Sequence, residues 1–237
     1  MYTFKRTAVA ALITAGCGVG AQPANAAATF FFENTPYLSA ADIPAGFYLG
    51  GSPALLDNLE DGSLDTSLSA SVGGIISPGA FDGLRDSVDG DDGAIDGTTA
   101  PQSSAGRSWF AFDGATGVTF TFTGAVLPTA FGLVWTDGGF QVTFSALDGD
   151  GNSLGSLTES GFADANSSAG TAEDRFFGVT FEGGIKSIFI SNLGGGIEVD
   201  HLQYGTMAPP TTVPVPAAGW LMLTGAAALA ARRRRAG

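Results

Sequence analysis

The chain has 237 residues, with 23 acidic and 10 basic side chains and a net charge of −13. A field of that sign repels nucleic acid and anionic membrane, so neither is expected as a partner of the bulk of the chain. The single cysteine excludes an internal disulfide and any thiolate-built zinc or iron–sulfur centre.

In chain order, Lys5 and Arg6 precede an apolar stretch from Thr7 to Ala21, followed by Ala24-Asn25-Ala26. A charged start, a short apolar run and a small-x-small site make a secretory signal, with cleavage expected after Ala26. The rival reading is a lipoprotein signal at Cys17, preceded by Thr14-Ala15-Gly16. Export would use the Sec machinery. It would leave Arg85, Arg107, Arg175 and Lys186 against all 23 acids between the two terminal segments, a net charge of −19.

Residues 27–206 are expected to fold as one domain, since about 180 residues suffice for a good core. Its first part, Thr35 to Gly106, is rich in Asp, Gly and Ser. Long surface loops are expected there between a few strands, around Phe47 to Leu49 and Val72 to Ile76. From Trp109 to Tyr204 the pattern alternates. Val118, Phe120 and Phe122 share one face and Thr119 and Thr121 the other; Val142 and Phe144 repeat the scheme. Further strands are expected at 108–112, 130–135, 175–181, 186–190 and 197–202. Short β-rich runs broken by Gly/Asp turns predict an all-β protein, and a jelly-roll-like antiparallel β-sandwich is the expected form. Met207 to Thr212, with Pro209 and Pro210, reads as an extended linker.

The chain then runs Val213-Pro214-Val215-Pro216-Ala217, an uncharged apolar segment to Ala231, and Arg232, Arg233, Arg234 and Arg235. Fifteen helical residues reach roughly 22 Å, short of a ~30 Å hydrocarbon core, so a marginal, transient membrane span is expected. The arginines would stay cytoplasmic and the bulk of the chain would lie across the membrane. A plain single-pass anchor is the alternative.

These three parts resemble the C-terminal sorting signal of PEP-CTERM proteins in the VPLPA variant, with Val215 in place of leucine. The resemblance implies recognition and cutting near the motif by an exosortase, and a surface or matrix protein associated with exopolysaccharide or biofilm. Residues 145–156 and 196–205 are also similar to segments of β-sandwich domains in such proteins, which implies a jelly roll whose ligand class varies between members.

Candidate chemistry centres on oxygen ligands. Asp148, Asp150, Asn152 and Glu159 have the spacing of positions 1, 3, 5 and 12 of a calcium loop, although Ser153 stands where the sharp turn wants glycine; a hairpin turn is the competing reading. Asp86, Asp89, Asp91, Asp92 and Asp96 form a second acidic run, either solvated or neutralised by calcium. Glu33, Glu198 and Asp200 are a third set, expected to meet if the first and last strands are neighbours. The alternative is two outward-facing acids on one strand. His201, the only histidine, is expected to point away from Asp200 by strand alternation. Gly151-Asn-Ser-Leu-Gly155 matches a hydrolase string but lies in an expected hairpin rather than a strand-to-helix elbow. Trp109 and Trp135 are candidates for stacking on sugar rings, with core packing as the other role. No residue is identified as catalytic. A non-catalytic binding or structural protein is expected, and a glycosidase on the same scaffold is the alternative.

Overall fold

A computed structural model describes residues 27–76, 106–163 and 172–209. The sorting motif, the arginine cluster, the cleavage-site alanines 24 and 26, and Asp86, Asp89, Asp91, Asp92 and Asp96 lie outside the described residues.

Ten antiparallel strands account for nearly all the regular structure among the described residues. They are β1 Thr29–Phe32, β2 Leu55–Asp57, β3 Leu68–Ala70, β4 Gly74–Ile76 and β5 Ser108–Ala111. There follow β6 Val118–Phe122, β7 Ala130–Asp148, β8 Ser153–Ser160, β9 Arg175–Thr180 and β10 Ile185–Gly205. The only helical elements described are two short 3₁₀ turns, Ala40–Asp42 and Leu49–Gly51. No helix among the described residues is long and apolar enough to cross a membrane.

Two long strands organise the molecule. β7 and β10 pair along their whole length, with register shifts where both bend, around Asp137–Gly139 and Asn192–Ile197. The bend places each strand in two layers. One layer runs β8, the later half of β7, the earlier half of β10, β6 and β3. The other runs β1, β9, the earlier half of β7, the later half of β10, then β2 and β5, with β4 outside β5. The segments expected as separate strands at 130–135 and 141–145, and at 186–190 and 197–202, are therefore continuous through the bends. Thr136–Gly139, which follows the expected strand at 130–135, is the bend itself. Glycine makes it possible: a Cβ on Gly139 would lie 2.7 Å from the Gly194 carbonyl oxygen. Asn192 holds the corner, its Nδ2 donating to the carbonyls of Gly194 and Gly196.

The core fills the space between the layers. Val118, Phe120, Val142, Phe144, Ile188 and Ile190 of the first meet Leu133, Trp135, Phe177, Val179, Ile197 and Val199 of the second. Phe144 packs on Phe177 and Phe30, and Phe122 on Tyr204, across the gap. An all-β sandwich is thus the architecture, built on the predicted alternation.

The side chains of the first layer that point away from the core form rows across its strands. Thr158, Thr143 and Ser191 make one row; Ser156, Ser145, Phe189 and Thr119 the next; Ser153, Leu147, Ser187, Thr121 and Ser69 the third, in which Ser187 is buried. The outward face of the second layer is instead roofed by residues 37–48. Tyr37, Phe47 and Tyr48 bury a second apolar cluster there with Ala130, Val134 and Phe176. Phe47 and Tyr48 do not form the expected strand. Tyr48 makes one bridge to Met207, and Leu49–Gly51 turns as a 3₁₀ helix. Met207 and Ala208 are bonded to this roof, so the domain extends into the expected linker.

Candidate functional site

The later half of β10 carries Glu198, Asp200, His201 and Gln203, all buried. Strand alternation sends Ile197 and Val199 into the core and Glu198 and Asp200 to the opposite face. At His201 the backbone turns to φ 48°, and the register to β7 shifts between Asp200 and Gln203. This bulge resets the phase, so Leu202 now faces the core. It also brings His201 beside Asp200 rather than opposite it, with Nδ1 3.3 Å from Oδ1. The left-handed conformation is uncommon for a residue other than glycine. Here the Asp200 carboxylate supports it by accepting the His201 N–H at 2.6 Å.

Neighbouring elements close over this pair. The Tyr37 ring stands edge-on to His201, and its backbone N–H donates to the Asp174 carbonyl just before β9. Ser108 at the start of β5 donates its hydroxyl to Glu198 at 2.5 Å. Gln203 Nε2 donates to the His201 carbonyl. Arg175 donates to the carbonyls of Ala172 and Asp174 and lies over the Phe162 ring. Burial lowers its pKa, an effect opposed by the charges of Asp174 and Glu173.

Glu60 and Arg107 stand at the half-exposed rim. Glu60 accepts the Arg107 backbone N–H with its carboxylate and a guanidinium N–H with its carbonyl. Burial pushes the Glu60 carboxyl up, and the charge of Asp200 adds to the rise. Burial likewise raises Asp57, which accepts the N–H groups of Leu59 and Asp65. These bonds hold Leu59 at φ 61° with its side chain fully in the core. The site is a set of carboxylates fastened to backbone and hydroxyl groups under a roof. It can fix loops and strand ends.

The residues singled out from sequence are distributed as follows. Asp148 accepts from the Asp150 and Asn152 N–H groups and from Asn152 Nδ2, closing the turn between β7 and β8. Glu159 pairs with Val142, six residues up the ladder from Asp148, roughly 20 Å at strand rise. The structure therefore does not bring the twelfth-position ligand to the turn. Ser153 begins β8 in that hairpin, so the hydrolase string forms no elbow. Glu33 follows β1, which pairs with β9; β9 and β7 stand between it and β10. Three strand spacings, about 14 Å, separate Glu33 from Glu198 and Asp200, so the expected meeting of first and last strands does not occur. Glu198 and Asp200 share a face as expected, but that face is covered, not outward. Among the described residues, no group of three or more carboxylate, imidazole or thiol side chains is placed to hold a metal ion.

Trp135 offers no free ring, being buried against Phe162; Trp109 is half-buried and packs edge-on to Phe120 while donating Nε1 to the Val72 carbonyl. Sequence reasoning missed the Glu60–Arg107 clamp and the Ser108–Glu198 bond. Neither has a spacing signal, because each joins segments far apart in the chain. Asp57-Asn58-Leu59 does carry one, an acid two residues before a turn N–H.

No family model and no curated protein matches the chain. Among solved structures, it is similar to the enzymatically active domain of tailspike protein 4 of bacteriophage CBA120. The identity is 15% and the TM-score 0.30, over 63% of this chain and 21% of that one. The chain thus spans about a fifth of that protein.

Proposed function

We propose that this chain is an exported, non-catalytic β-sandwich of the cell surface or extracellular matrix. It is carried out by the Sec machinery, held briefly in the membrane by its C-terminal segment and processed there by an exosortase. Its partner outside is exopolysaccharide. The terminal segments support export and sorting. The non-catalytic part rests on one observation: seven of the described carboxylates are occupied with holding the fold. Asp42, Asp57, Asp61, Asp65, Asp113, Asp148 and Asp200 each accept backbone N–H groups, mostly within their own turns.

A glycosidase on the same scaffold has one observation in its favour. Glu60 is a carboxyl with a raised pKa near a second carboxylate, Asp200, which is the pairing acid catalysis of glycoside cleavage uses. Incubating the purified chain with a panel of polysaccharides and measuring released reducing ends separates the two. No release is expected. Release that disappears in Glu60→Gln would reject the non-catalytic reading.

Calcium is the cofactor this reading allows, at the acidic run of Asp86, Asp89, Asp91, Asp92 and Asp96, since the other two expected sets do not come together. A cation bound only by the native state raises the melting temperature. Melting in calcium is expected to exceed melting in chelator, and coincident curves would reject a structural calcium.

A further inference from the structure

We propose that the outward face of the first layer is a binding platform for an uncharged polysaccharide lying across the strands. This rests on the reading of the chain as a glycan-associated surface protein, and adds the location of the site and the class of glycan. The three rows described above contain hydroxyl side chains at all but two positions and no ionisable group. Elsewhere the domain is strongly acidic. The face therefore suits a neutral partner, whereas an acidic polymer would meet the repulsion of the surrounding field.

Each hydroxyl both donates and accepts and rotates to suit its partner. The rows repeat about every 4.8 Å across strands and roughly every 6.7 Å along them. A chain of repeating sugars presents hydroxyls of the same two-way character along its length. At the centre lies Phe189, half-buried, its ring held against Gly117, where a Cβ would be 2.6 Å from the ring. An aromatic plate ringed by polar groups is what the C–H surface of a sugar ring packs on. Thr143 and Thr158 already bond to each other at 3.2 Å, so the outer row is ordered before a ligand arrives. A second copy of this chain is a poorer occupant. Only Phe189 and Leu147 are apolar in these rows, too few for the apolar centre that a lasting protein–protein interface needs.

The test is electrophoresis of the full chain in gels containing dextran, galactomannan or alginate. Retardation by at least one of the two neutral polymers, and not by alginate, is expected. Ser145→Glu and Ser156→Glu should each weaken retardation about tenfold. Ser145→Thr should retain it, and so should Ser52→Glu, an equal charge change on an exposed residue outside the platform. Thr158→Glu, on the exposed edge strand, replaces Ser145→Glu if that variant does not melt cooperatively. Retardation by neither neutral polymer overturns the platform. So does equal retardation of the glutamate variants, or a self-association of the wild type that Ser156→Glu abolishes. Sugar release accompanied by normal retardation supports the platform while rejecting the non-catalytic reading. Absence of both retardation and release removes the platform and leaves the exported role standing.

Discussion

Glu60 and Asp57 are two residues whose protonation the fold feels. Both are partly buried, and burial raises both above the ordinary carboxylate range. A carboxyl with a raised native pKa binds protons more readily folded than unfolded. Its contribution therefore falls as pH rises from the unfolded value, about 4, through the raised native one. Asp61, Asp113 and Asp148 are held down by bonds from Ser63, Thr116 and Asn152. Their contribution is present above the unfolded value and is lost only as pH falls below it. The expected profile is greatest stability in mild acid, declining toward neutrality. Melting followed between pH 4 and 8 checks this, and Glu60→Gln should flatten the decline while keeping the bond from the Arg107 N–H. At this scale the sequence was a partial guide. The Asp148 turn was legible because its carboxylate, glycines and asparagine are local to one another. His201 was not: alternation predicts its direction only while the strand stays in phase, and a bulge leaves no mark in residue type. Trp109 and Trp135 were placed by neighbours from other strands, which a linear reading does not supply.

The corner of β7 and β10 is the element on which the two-layer arrangement turns. Asn192 is buried at this bend and gives both its amide hydrogens to carbonyls of the chain it caps. Gly114 and Gly138 leave it room, since a Cβ at either would meet its side chain at 2.4 Å. Asn192→Ala should lower unfolding stability by about 1–2 kcal/mol, the net worth of its bonds. Urea denaturation should show a lower midpoint with an unchanged slope. The strands on either side of the corner were legible in the alternation of Val142 with Phe144 and of Ile188 with Ile190. Their continuity was not. Gly-rich stretches such as Thr136–Gly139 and Gly194–Gly196 lie between the expected strands, and glycine in a strand pattern does not by itself tell an end from a bend. The structure uses glycine for close approach of two backbones instead.

At the scale of the molecule, one sandwich has two unlike outer faces. One is covered by the 37–48 segment, over a buried set of carboxylates and the single histidine. The other is neutral and lined with hydroxyls. Alternation made the all-β class legible, since it needs only two kinds of side chain in turn. The difference between the faces was not, because it depends on which strands are neighbours. The central claim is that this domain works outside the cell and is delivered there by terminal segments that are then removed. The intact mass of the protein recovered from its host's surface or medium tests it most directly. A chain beginning at Ala27 and ending near Val213–Ala217 is predicted. A chain with the leader and the four arginines in place, found only in the cytosol, would contradict it.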